Sequence, residues 1–279
     1  MQVTTDIGCG AWILARAGEF GTVGGVAGTG FARYLRILHP APARRDDALV
    51  DVKVGQASGP PRSWSWAEVT EVTGTTMHNR VTWPEIAGGS DEARLPGGWE
   101  VGPPPEGWLD PHLLAHLTPH LASTTTTPED LTAAIWTGWG GPDSTLYVTL
   151  GMSRAEAARA QRAHRRVVRA SYDPQYLRVV RKGPWLKWPE REFVLLTTSL
   201  TELADPRWGF TAGIGWQDHP DPMPQMLWPR DESWVLASEI DWDSTVLGGS
   251  DALVEALLAD ARFETYEVEP GDDLSTDRR

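Results

Sequence analysis

Cysteine is almost missing: Cys9 is the only one in 279 residues, so no internal disulfide and no CxxC or zinc-type cluster can form. A disulfide-stapled scaffold is excluded, and the single thiol fits a reducing cytoplasm. Lysine is scarce as well, with only Lys53, Lys182 and Lys187, so arginine carries nearly all the positive charge. No run approaches the ~18 consecutive apolar residues that a membrane-spanning helix needs. The start carries Asp6 and no Lys or Arg before any apolar run, so neither a membrane span nor a secretory signal is expected. Catalytic signatures are missing too. The glycines at 18, 21, 24, 25, 28 and 30 match neither GxGxxG nor GxxxxGK[ST] and read as a hairpin or irregular loop. There is no HExxH and no nucleophile elbow, and no cofactor motif.

What remains is a globular composition, 41% hydrophobic and 23% charged, long enough for one large domain or two modest ones. The formal charge is −13, which repels nucleic acid and anionic membranes at long range. That charge is uneven. Between Arg154 and Lys182 nine basic residues face only Glu156 and Asp173, a net of +7 that leaves −20 on the rest. Fifteen tryptophans are scattered through the chain, each able to bury on the order of 150–250 Å². They read as packing residues, with sugar stacking as the functional alternative. Trp83-Pro84, Trp188-Pro189 and Trp228-Pro229 read as entries to or exits from strands, because proline forces the preceding residue into an extended conformation.

Strands are expected at Ala11–Ala15, Phe31–His39, Leu49–Val54, Ala133–Trp139, Leu146–Leu150, Phe193–Thr198, Trp234–Ile240 and Phe263–Val268. Ser65-Trp66-Ala67-Glu68 is a capping box that starts a short helix to about Thr73, ended by Gly74. Asp110-Pro111 starts another that Pro119 stops, Thr127-Pro128 repeats that starting device, and Ser250 caps a third. The fold class is α+β, mainly antiparallel sheet with several short helices, in two lobes. The N-terminal lobe is 1–94, a Pro/Gly-rich connection spans 95–109, and the C-terminal lobe is 110–268 with its basic helix near 154–170. The acidic tail, 269–279, is expected to be disordered.

Two local features could carry function. Ser153-Arg154-Ala155-Glu156 opens a helix on which Arg154, Arg159, Arg162, Arg165, Arg166 and Arg169 fall within an arc of about 140°. Ala157, Ala160, Ala163, Val167 and Val168 occupy the other side. Guanidinium forks on one face suit an acidic protein or a phosphate-bearing ligand; the plain alternative is a solvated helix paired with the chain's own acids. The second feature is Glu239-Ile240-Asp241-Trp242-Asp243. Continued as a strand, it projects Glu239, Asp241 and Asp243 from one face, where they could hold a divalent cation or divide into general acid and base. His112, His116 and His120 are spaced by four, but with Pro119 between them only the first two are expected to share a face, which makes a weak metal site.

The stretches Gly30-Phe31 through Ala41, Gly74-Thr75-Thr76-Met77-His78, Trp136-Thr137-Gly138-Trp139-Gly140 and Glu239-Ile240-Asp241 through Ser250 together resemble a group of uncharacterised actinobacterial proteins. The resemblance covers most of residues 11–268 and implies no activity, cofactor or catalytic residue; the segment from Arg154 to Lys182 stands outside it. The reading that follows is a cytoplasmic, non-catalytic binding or interaction protein that uses the arginine face, without metal or cofactor. Its rival is a divalent-metal-assisted phosphoryl- or glycosyl-group enzyme on Glu239, Asp241 and Asp243. A nucleic-acid binder using the basic helix alone is a third reading, disfavoured by charge.

Overall fold

A computed structural model describes residues 1–45, 62–139, 153–217 and 222–275. In chain order the strands are β1 (Gln2–Thr4), β2 (Arg33–Leu38), β3 (Ala41–Arg45), β4 (Arg62–Trp64), β5 (Ala93–Leu95), β6 (Trp99–Val101), β7 (Leu131–Trp136), β8 (Leu186–Trp188), β9 (Arg191–Thr198), β10 (Met226–Pro229), β11 (Val235–Ala237), β12 (Ser244–Gly249) and β13 (Thr265–Val268). The helices are α1 (Ala11–Leu14), α2 (Val23–Ala27), α3 (Trp66–Thr73), α4 (Trp83–Ile86), α5 (Pro111–Ser123), α6 (Arg154–Ala170), α7 (Pro174–Lys182), α8 (Leu200–Leu203) and α9 (Asp251–Leu258). This is an α+β chain of antiparallel sheets and short helices, as its sequence pattern indicates. The strands expected at Leu49–Val54 and Leu146–Leu150, and residues 276–279, lie outside the described residues.

Two compact units form, each from separated stretches: Met1–Ala15 with Pro111–Glu232, and Arg16–Asp110 with Ser233–Arg279. In the first, strands run β1-β9-β7-β10, with β8 also on β9, every pair antiparallel. In the second, β11-β12-β2-β13 is one antiparallel array and β4-β3-β6-β5 another. The stretch 95–109 is therefore no simple connection, because β6 pairs with both β3 and β5. Residues from Ser233 onward return to the second unit because β12 pairs with β2 along its whole length, a long-range match that local sequence does not display. The tail is ordered through Ser275: Asp272 and Pro270 carbonyls accept from the Val23 and Gly24 N–H groups that open α2, and Leu274 is buried.

Side-chain caps set the helix starts. Ser65 accepts from Glu68 N–H while Glu68 accepts from Ser65 N–H, and Gly74, left-handed at φ 73°, ends α3. Ser153 and Glu156 make the same box for α6, and Ser250 caps α9. Elsewhere the local reading fails for identifiable reasons. Ala11–Leu14 is helical because Asp6 caps a 3-10 turn, Ile7–Gly10, that runs straight into it. The glycine-rich stretch contains α2, capped by Thr22, rather than an irregular loop. Trp83-Pro84 starts α4, because Glu85 accepts from Thr82 N–H and proline suits the first turn. Pro119 lies inside α5; the Ala115 carbonyl it cannot reach accepts from the Thr118 hydroxyl at 2.9 Å, and Leu121 continues the buried stripe. Thr127-Pro128 makes only a turn, closed by Asp130 N–H on the Thr127 carbonyl before β7 begins.

Most tryptophans are core. In the second unit Trp66, fully buried, meets Trp83 edge-on at 5.6 Å and joins Leu38, Val69, Ile86 and Val101 in one cluster. Its Nε1 donates to the His39 carbonyl at 3.0 Å. Trp66→Ala should lower the unfolding free energy by about 3–5 kcal/mol, read from urea midpoints at constant m; a loss under about 1 kcal/mol would contradict this packing.

Candidate functional site

Segment 239–243 is a turn and not a strand: β11 ends at Ala237, β12 begins at Ser244, and Trp242 N–H bonds back to the Glu239 carbonyl. Glu239, Asp241 and Asp243 consequently share no face. Glu239 is half-buried, Asp241 is exposed, and Asp243 is 4% exposed with its Oδ1 2.9 Å from Arg36 Nη2. The carboxylate whose titration responds to Asp243 and Asp241 is Glu106, held above the usual range by desolvation and by those two negative charges. Among the described residues no group of three His, Cys, Asp or Glu could hold a metal ion. The unbroken α5 does put His112, His116 and His120 in one row, which is not among the groups able to hold a metal ion within the described residues.

The sequence reading missed the polar cluster to which Asp243 belongs. Arg36, fully buried on β2, donates from Nε to Ser244 Oγ at 2.9 Å and from Nη1 to the Val81 and Asn79 carbonyls at 2.8 and 3.2 Å. Its guanidinium lies over the Trp66 ring. Burial raises the Asp243 carboxyl, opposed by the Arg36 charge and by backbone N–H groups. Beside it, His39 Nδ1 is 2.7 Å from the Pro105 carbonyl and Nε2 is 2.8 Å from Thr245 Oγ1, which in turn meets Ser238 Oγ at 2.7 Å. Since a carbonyl only accepts, Nδ1 carries the proton and Nε2 accepts from Thr245. The hydroxyl–imidazole contact resembles an activated nucleophile, yet His39 is 1% exposed and Thr245 fully buried, so no substrate carbonyl or phosphoryl group can be placed against it. It is an internal scaffold. The signal available in sequence was an arginine between apolar residues in a strand, Tyr34-Leu35-Arg36-Ile37-Leu38.

The arginine helix forms as expected. On α6 all six arginines are exposed, and among the described residues none of them pairs with a carboxylate. Arg33, Arg44, Arg80, Arg94, Arg230 and Arg262, by contrast, each have an acidic partner. The apolar side is thinner than its pattern suggests: Val168 is the one buried residue of α6 and Val167 is 61% exposed. Asp173 then caps α7 through Gln175 and Tyr176 N–H groups, with Pro174 at the first helical position, a second helix that the sequence reading left out. A groove of about 320 Å³ follows, lined by Arg169 and Tyr172 at the end of α6 and by Pro174, Leu177, Arg178, Arg181 and Lys182 of α7. Cys9 is no competing site, since burial raises its thiol away from the reactive thiolate.

Comparison with protein-family models, curated proteins and solved structures finds no match to this chain. No helix among the described residues is long and apolar enough to cross a membrane.

Burial lowers His39 to about 4, with the Arg36 charge acting in the same direction. An unfolded histidine takes its proton near 6.5, so the neutral folded form gives stability that is complete above that pH and lost as pH falls through 4. The gap corresponds to about 3 kcal/mol. His39→Asn removes this dependence: the stability difference between wild type and variant should shrink by about 3 kcal/mol from pH 7 to pH 4 in urea titrations. A constant difference would show that His39 does not carry the linkage.

Proposed function

We propose that this is a cytoplasmic, non-catalytic interaction protein whose recognition element is α6, and whose partner presents dense negative charge. The observation that carries the reading is the row of six exposed arginines without acidic partners among the described residues, whereas Arg33, Arg36, Arg44, Arg80, Arg94, Arg230 and Arg262 each have one. Six like charges along one helix repel one another, and an anionic partner relieves that repulsion. Each guanidinium can also meet a carboxylate or phosphate bidentately. Single exposed pairs contribute only ~0–1 kcal/mol each, so affinity comes from many contacts made together and is steered by charge. The exposed edge formed by Ala163 and Val167 adds apolar surface beside the arginines. Nucleic acid is disfavoured as the partner because the rest of the chain carries −20. The reducing compartment is supported by the single thiol.

Labelled poly-glutamate serves as a probe of the face. Wild-type protein should bind it with an affinity that falls steeply as salt rises, and the combined Arg162→Glu, Arg165→Glu and Arg166→Glu variant should bind at least tenfold more weakly. Because those side chains are exposed, the thermal midpoint should hardly move. Equal binding by both proteins would refute the assignment.

A further inference from the structure

We infer that α6 of one copy docks on α9 of a second copy, so that one anionic partner of the arginine row is this chain itself. This rests on the reading of α6 as an anion-recognition element and names one occupant for it.

α9 is two-sided. Leu253, Val254 and Leu257 are buried, whereas Asp251, Glu255 and Leu258, spaced i, i+4 and i+7, form an exposed stripe beside the exposed Ala252 and Ala259. Leu258 is 40% exposed, a large apolar side chain on the flank of two carboxylates. Glu255 reaches Arg33 only at 3.5 Å and its side chain is 72% exposed, while Arg33 bonds more closely to Glu267 at 2.7 Å. An exposed pair of that kind contributes ~0–1 kcal/mol and leaves the carboxylate open to a second cation. The surroundings are acidic too: from Ser233 to Arg279 twelve acidic residues meet three arginines, a net of −9.

α6 presents the complement. Ala163, Val167 and Ala170 repeat the i, i+4, i+7 spacing and are exposed, and each directly follows an exposed arginine, Arg162, Arg166 and Arg169. At 61%, Val167 is exposed even further than Leu258. A helix rises 1.5 Å per residue, so the steps from Arg162 to Arg166 and from Asp251 to Glu255 are both about 6 Å. Two charge pairs can therefore close together while the apolar stripes face each other. Alanine on both surfaces lets the axes approach to about 8 Å, within reach of long guanidinium side chains. The eight residues of α9 span about 12 Å, roughly half the length of the 17-residue α6. Arginines beyond the contact stay available to another anion.

Net charge opposes this contact, since copies carrying −13 repel at long range. In about 0.1 M salt, however, the Debye length is only about 10 Å, and the local match of a basic row with an acidic helix decides the balance. In about 1 M salt, at about 3 Å, that match is screened as well. Because α6 and α9 are different surfaces, single contacts build open chains and a reciprocal pair of contacts closes a dimer.

Sedimentation velocity on the full chain tests the inference. The average mass of wild-type protein should rise over a hundredfold concentration range in about 0.1 M salt and stay monomeric in about 1 M salt. The combined Arg162→Glu, Arg166→Glu, Arg169→Glu variant should remain monomeric throughout, and so should the combined Asp251→Lys, Glu255→Lys variant. Mixed together, the two variants should associate again, because each then offers the charge that the other lacks. Val167→Asn and Leu258→Asn should each weaken association at least threefold with the charges intact. Unchanged far-UV circular dichroism shows that the variants, altered only at exposed positions, keep their fold. Wild-type protein that is monomeric at every concentration would overturn the inference, as would association that survives either reversal, or a mixture that stays monomeric. Poly-glutamate binding by wild-type protein is measured separately, so a failure of self-docking leaves the α6 reading standing, and a failure of both removes it.

Discussion

An arginine with no solvent exposure obliges the structure around it to supply acceptors, because an uncompensated buried charge costs several kcal/mol. Arg36 draws them from three places: Ser244 at the start of β12, Asp243 in the turn before it, and the Asn79 and Val81 carbonyls ahead of α4. Those contacts fix where the β11–β12 turn and the 79–81 segment lie against β2. The His39 branch extends the same constraint. It holds the Pro105 carbonyl, while Gly107, at φ 62°, packs with its missing Cβ against Ile240 and donates to Trp242. The loop leaving β6 is thus fastened to the turn that holds Asp243. Two charged residues and one imidazole set the geometry of elements that hydrophobic packing alone would leave free to slide.

This network also explains why the acidic turn misleads when read as a line of text. Alternation puts three carboxylates on one face only if the segment is extended, and the chain reverses there instead. Asp243 faces inward to meet Arg36, and Asp241 faces solvent. Short-range signals served well where the deciding interaction is local. Ser65 with Glu68, Ser153 with Glu156, and Ser250 each fix a helix start within three residues of sequence, and all three stand where the sequence places them. They failed where a partner lies elsewhere: α2 depends on carbonyls of the tail, and β6 belongs to a sheet with β3. Arg36 and His39 belong to this second group, since nothing beside them in sequence shows Ser244, Asp243 or Thr245.

The two arginine populations obey one rule. Where a guanidinium is buried, as at Arg36, every approach is occupied by acceptors and the group is structural. Where guanidiniums are exposed beside acids, as at Arg44 with Glu92 and Glu100, they contribute little beyond surface complementarity. The α6 row fits neither case. It combines a dense run of positive charge with a narrow buried seam, with Val168 as its one buried residue.

A helix that adds so little to its unit's core gains little stability from packing and must draw on local terms. α6 has them: a capping box at Ser153, Glu156 lowered by the bonds it makes there, alanine at frequent intervals, and Arg169 against the C-terminal dipole. Six mutually repelling arginines oppose those gains. A sequence shaped for stability alone would place glutamates four residues ahead of them, as i,i+4 pairing favours, and beyond the Glu156 of the capping box α6 has none. The charge pattern therefore does not serve the stability of the helix itself.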